Sequence, residues 1–277
     1  PAGRRVSGGR ASGSGGELVG GRLQPGRTGR DGRRSPLRPA PTKGQIDAVY
    51  GSLLAMHGPQ QWWPRDRSAV DGGVLEICLG AILTQNTAWV TAAAALDNLR
   101  GAEAFSCEAI LELPQDALAD LVRPSGHYNV KARKLKEFAA TVVEEYGGSF
   151  DSLFAGEMDE VRERLLAVWG IGPETADAML LYAARKPTFV VDAYSYRLFE
   201  RLDMAPGDRR YDVYRDHFMA KVGPDVERLN EWHALIVRHG QERCWRSRPR
   251  CEECELLQRC PFGQSKVGIS EIGSEGG

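Results

Sequence analysis

The chain has 277 residues, 42% of them apolar and 26% charged, and a formal net charge of -1. That length supports one large or two ordinary domains with a real buried core, and no apolar run approaches a membrane span, so no membrane partner is expected. The charge is uneven: residues 1–43 hold ten Arg or Lys against Glu17 and Asp31, which leaves the remainder at about -9.

The first segment, 1–43, is rich in Gly, Ser, Pro and Arg and nearly free of large apolar residues. It cannot offset the entropy of ordering and is expected to be a disordered basic tail. It reads as a bland linker or as an arm that adds non-specific phosphate affinity; it lacks the apolar stripe of a transit peptide, and no signal peptide is evident. From Gly44 onward, helical apolar spacing broken by Gly or Pro predicts helices over 44–57, 71–83, 87–100, 106–112, 115–122, 129–146, 158–168, 174–185, 193–202, 209–221 and 225–239. The one strongly β-branched run, Thr188-Phe189-Val190-Val191, is too short and isolated to imply a sheet. The fold class is therefore all-α, with no internal repeat.

Within the helices, Trp62-Trp63-Pro64 and Trp89 taken alone read as core or interface. Further on, Leu165-Leu166-Ala167-Val168-Trp169-Gly170-Ile171-Gly172-Pro173-Glu174-Thr175-Ala176 joins a helix end, a Gly-x-Gly turn and a new helix start. Gly170 and Gly172 permit a tight turn, Pro173 suits a first helical turn, and the free amides there form a site for a phosphate oxygen. Asp192 follows an apolar run and precedes a helix, the pattern of an N-cap.

Near the C-terminus Cys244, Cys251, Cys254 and Cys260 lie within seventeen residues, spaced Cys-x6-Cys-x2-Cys-x5-Cys. Four soft thiolates at this spacing fit a [4Fe-4S] cubane. Zinc is the second reading, because only Cys251 and Cys254 form a close pair. Disulfides suit small secreted scaffolds. Cys78 and Cys107 have no partner at ligand spacing and are expected to be buried. Arg246, Arg248 and Arg250 stand on the cysteine loop in an arrangement suited to phosphate contact; Glu252, Glu253 and Glu255 follow at once and equally allow a solvated charge run.

Together these motifs, with Leu83-Thr84-Gln85-Asn86-Thr87, Gly126-His127-Tyr128-Asn129-Val130-Lys131-Ala132 and Trp232-His233-Ala234-Leu235-Ile236-Val237-Arg238-His239-Gly240, resemble the endonuclease III branch of the helix-hairpin-helix DNA glycosylases from about Gly44 to Phe262. The resemblance implies two helical domains flanking a DNA-binding cleft: a six-helix barrel with the hairpin over 69–187, and a cluster domain from 44–68 plus 188–264, with 265–277 a flexible tail. It implies an intracellular monomer, in the cytoplasm or nucleoid, acting on double-stranded DNA that contains a damaged base. Asp192 would be the catalytic acid that supports loss of the flipped base. Gln85 would enter the gap left by that base, and Gly170, Ile171, Gly172 and Thr175 would hold phosphate.

One departure bears on mechanism. Bifunctional members carry a Schiff-base lysine two residues after the second hairpin glycine, and this chain has Glu174 there. A carboxylate forms no imine, so a monofunctional glycosylase is expected; the Glu174 side chain itself reads as structural, complementing the helix dipole. Lys131 and Lys134 are the substitute amines to consider. The aromatics resemble those of endonuclease-III-like 3-methyladenine glycosylases, in which residues at the places of Trp62, Trp63, Pro64 and Trp89 sandwich the extruded base, and electron-poor alkylated purines stack well on indole. Two alternatives stand beside this reading: an oxidised-pyrimidine glycosylase with abasic-site lyase activity, and a non-catalytic binder of damaged DNA.

Overall fold

The computed structural model describes residues 40–60, 62 and 73–268, which all belong to one compact unit beginning at Ala40. The tail expected over 1–43 lies almost wholly outside these residues, as do Trp63, Pro64 and 269–277 of the expected C-terminal tail. Among the described residues there are thirteen α-helices and no strand: α1 Lys43–His57, α2 Val74–Leu83, α3 Trp89–Gly101, α4 Cys107–Glu112, α5 Gln115–Leu121, α6 Tyr128–Ala140, α7 Phe150–Leu153, α8 Met158–Ala167, α9 Pro173–Ala178, α10 Ala193–Arg201, α11 Tyr211–Val222, α12 Val226–Glu242 and α13 Pro261–Val267.

The core helix is α2, buried over nine of its ten residues. A helix apolar on all sides must be covered on all sides, and α3, α6, α9 and the π-helical turn Met179–Ala183 pack on it. A second set, α1, α10, α11, α12 and α13, is built around α12, with α1 and α10 against its flanks. Contacts of α12 with Met179–Ala183, and of α11 with α9, join the two sets. The second set has an aromatic core: Phe189, Phe199, Phe218 and Trp232 form one buried ring cluster.

Local chemistry explains the boundaries. Thr42 and Gln45 close a capping box on α1, and Asp192 and Asp225 cap α10 and α12 by accepting the amides of Ser195 and Arg228. Thr188–Val191 is buried and forms no strand, since it has no neighbour to pair with. The long helices expected over 129–146 and 174–185 each begin as α-helix and finish as a π turn, Thr141–Glu145 and Met179–Ala183. Helix α13 escaped the periodicity reading: Pro261 and Gly263 look like loop residues, yet Pro261 sits in the first turn and Cys260 Sγ accepts the Gly263 amide as a cap.

Candidate active site

Asp192 and Glu174 come from different elements and face one another. Asp192 lies at the start of α10, 9% exposed, with Oδ1 accepting from the Ser195 amide at 2.7 Å and the Ser195 hydroxyl at 2.9 Å. Its Oδ2 stands 3.7 Å from Nε2 of His233, on α12. Burial pushes this carboxyl up, but the His233 imidazole and the two Ser195 bonds outweigh it and hold Asp192 below the usual carboxylate range. Asp192 is thus a buried anion kept ionised by its neighbours.

The far side of His233 is fixed as well. Tyr182, buried in the Met179–Ala183 turn, hydrogen bonds to His233 Nδ1. Burial and then the Asp192 charge push the Tyr182 phenol well above its usual value, so it stays protonated. His233 thus stands between Tyr182, at Nδ1, and Asp192, 3.7 Å from Nε2. Sequence reading gave His233 and Tyr182 no role; the stretch Trp232-His233 carried resemblance only, and nothing in the spacing of 182 to 233 marks them as partners.

Glu174, in the first turn of α9, is exposed, yet the protein around it and then the Asp192 charge push its carboxyl up to about 7, against the lowering effect of His233. This differs from the purely dipole-complementing role read from sequence: two carboxyl groups with opposed titration share one site.

The hairpin is braced from α2 and α6. Gly170 has φ +89, and a Cβ there would meet Lys134 Cγ at 2.5 Å, so only glycine fits. Gln85 Nε2 donates to the Gly170 carbonyl at 3.1 Å and to Thr175 Oγ1 at 2.9 Å, and Lys134 Nζ donates to Gln85 Oε1. Both Gln85 and the Thr175 hydroxyl are therefore engaged internally, and Gln85 would have to exchange three bonds to enter DNA. The first-turn amides of α9, after Gly172, have no intrahelical acceptor. Trp169 is 44% exposed beside them, with the Arg133 guanidinium 3.9 Å from its ring centre. Lys131 is buried and donates to the Leu83 and Ser125 carbonyls at 2.7 and 2.6 Å; burial and Lys134 push it down to about 8.

Trp62 and Trp89 are brought together, with ring centres 6.3 Å apart and planes at 58°. A base stacked between parallel rings needs about 7 Å, so these two tilted rings touch one another rather than stand as a slot.

All four cysteines line one cavity with Leu198, Arg201 and His239. Arg201 donates to Cys244 Sγ at 3.0 Å, and the Gly263 amide to Cys260 Sγ at 3.3 Å. Burial first, and the neighbouring thiolates after it, push Cys251, Cys254 and Cys260 up, Cys254 to about 11. No three potential ligands among the described residues are gathered at single-metal distances, but four convergent thiols with N–H donors aimed at the sulfurs fit the donor set of an iron-sulfur cubane. Cys78 and Cys107 are buried elsewhere. Arg246, Arg248 and Arg250 are exposed on the loop; Arg250 packs on Trp245 and lies 4.0 Å from Glu253.

The family model for HhH-GPD superfamily base excision DNA repair proteins matches residues 79–228, from α2 into α12. The chain belongs to this family. With it goes the coarse activity, DNA glycosylase in base excision repair. A relative from Methanocaldococcus jannaschii, provisionally named DNA repair glycosylase MJ1434, is 37% identical over 217 residues, 78% of this chain and 95% of its own. A 3-methyladenine DNA glycosylase of H. pylori, solved with 1,N6-ethenoadenine, is 30% identical with a TM-score of 0.60, covering 73% of this chain and 98% of its own. An endonuclease III in a non-covalent DNA complex shares the fold, with a TM-score of 0.68 at 20% identity over 82% of this chain and 99% of its own.

Proposed function

We propose that the chain is a monofunctional glycosylase that hydrolyses the N-glycosidic bond of alkylated purines in duplex DNA. The observation that carries this is the pairing of an ionised Asp192 with Glu174, where an amine would be needed for a covalent route. Asp192 Oδ1 is filled by Ser195, which leaves Oδ2, opposite His233 Nε2, to face positive charge growing on the sugar or to take a proton from an attacking water. His233, locked by Tyr182, keeps that oxygen charged. Alkylated purines already carry a weakened bond, so this assistance suffices, and the likeness to the H. pylori 3-methyladenine glycosylase supports that substrate class.

Gly170, Ile171, Gly172 and the first turn of α9 would hold a phosphate, and Arg246, Arg248 and Arg250 a second stretch of backbone. Cys244, Cys251, Cys254 and Cys260 would hold a [4Fe-4S] cluster, which would fix their loop against α10 and α12 and supply no step of hydrolysis. Replacing Asp192 with Asn tests the assignment: base release should be lost while lesion-duplex affinity persists, and undiminished release would remove Asp192 from the mechanism.

A second reading, oxidised-pyrimidine excision with strand cleavage, rests on Lys134, whose ammonium is pushed down by burial and which reaches the hairpin through Gln85. Borohydride trapping of the enzyme on abasic DNA, lost in Lys134→Met, would establish it.

A further inference from the structure

A buried ion network next to the site has no part in the chemistry above. Asp177, on α9 and fully buried, is gripped by Arg162 of α8 through Nε at 2.8 Å and Nη2 at 3.4 Å, and the same Nη2 reaches Asp212 of α11 at 2.7 Å. Asp212 is itself 3.7 Å from Arg215, one turn along α11. Its neighbour Tyr211, also on α11, accepts the amide of Val191 at 3.4 Å with its phenol oxygen. Val191 immediately precedes Asp192. Burial and then the Asp177 charge push the Tyr211 phenol well above its usual value, so it stays protonated. Arg162 thus ties the hairpin helix α9 to the first turn of α11, and Tyr211 in that same turn holds the backbone that carries Asp192.

A buried ion pair is weak evidence for stability, since desolvation offsets most of the attraction, and its best-attested use is to fix one arrangement among several. Here the arrangement fixed is the distance from the hairpin, which would seat the DNA, to the buried segment Thr188–Val191 that presents the carboxylate. We propose that Arg162, Asp177 and Tyr211 are positioning residues that hold Asp192 in register with the phosphate seated on the hairpin. This rests on the reading of Asp192 as the catalytic acid. None of the three touches substrate; each acts through α9 or Val191.

The experiment uses the full-length enzyme with its natural complement of iron and compares single-turnover base release and lesion-duplex affinity in Tyr211→Phe, Asp177→Asn, the double variant and Asp192→Asn. Tyr211→Phe should slow release about tenfold, as a small displacement of a reacting group does, with affinity and thermal midpoint near wild type. Asp177→Asn, which loses the charge facing Arg162 but leaves the Arg162–Asp212 contact in place, should be affected less. The double variant should be no slower than Tyr211→Phe, because both break one bracket. Release within twofold of wild type in Tyr211→Phe, a loss that tracks affinity or the thermal midpoint, or multiplicative losses in the double variant would each overturn the positioning role. An active Asp192→Asn would instead overturn the catalytic assignment, whatever Tyr211→Phe does.

Discussion

Replacing Glu174 with Gln should make the protein more stable, and only above a defined pH. The Glu174 carboxyl titrates at about 7 in the folded protein, against 4.5 for an ordinary glutamate. Below 4.5 both states are protonated and the side chain is neutral. Between 4.5 and 7 the unfolded chain gives up the proton while the folded protein keeps it, so the wild type loses stability steadily as pH rises, and above 7 the loss is constant. A gap of that size corresponds to roughly 3 kcal/mol with no screening; Glu174 is exposed, so solvent reduces it to about 1 kcal/mol. Gln has the same shape and no proton to lose. Urea denaturation at half-unit steps from pH 4.5 to 8.5 should show the variant and wild type equal at the acid end, diverging through the window and parallel above 7. A difference that is flat with pH, or that grows toward acid, would refute the raised titration of Glu174.

Four further outcomes follow from the same geometry. Gly170→Ala should cost about 1–3 kcal/mol and weaken DNA binding, because a Cβ at φ +89 meets Lys134; denaturation and filter binding measure both. Gly240→Ala should be comparably destabilising, since its Cβ would lie 2.2 Å from the Tyr194 ring; an unchanged thermal midpoint would contradict this. Glu174→Lys should place an amine beside Asp192 and yield an adduct with abasic DNA that borohydride traps, absent from wild type. Cys251→Ser should lower the iron and acid-labile sulfide of the purified protein from about four of each per chain and loosen the loop that Arg201 binds, seen as faster proteolysis near Arg246.

The helices were legible because most of them bury a periodic apolar face, and some, α1 and α11 among them, stop at a glycine. The π turns were not: Thr141–Glu145 and Met179–Ala183 keep the apolar pattern of the helices they extend, and widening of a turn leaves no trace in spacing. Asp192, the hairpin and the cysteines stood out because each is local in sequence. His233 and Tyr182 did not, since their value lies in a contact between residues 51 apart, and the altered titration of Glu174 comes first from the protein packed around it and then from Asp192, both products of tertiary structure. Gln85 could be marked as special from its motif, but not as the brace between Lys134 and Thr175, a role that depends on three elements meeting.

The central claim is hydrolysis without a covalent amine intermediate. End-labelled duplexes containing a methylated purine, thymine glycol, uracil or an abasic site, incubated with enzyme and divided into portions with and without alkali, test it directly. The account predicts breakage of the methylated-purine strand only in the alkali-treated portion, and no enzyme-dependent breakage of the abasic strand. Enzyme-dependent breakage without alkali, at the abasic site above all, would contradict it and place an amine, Lys134 first, in the reaction.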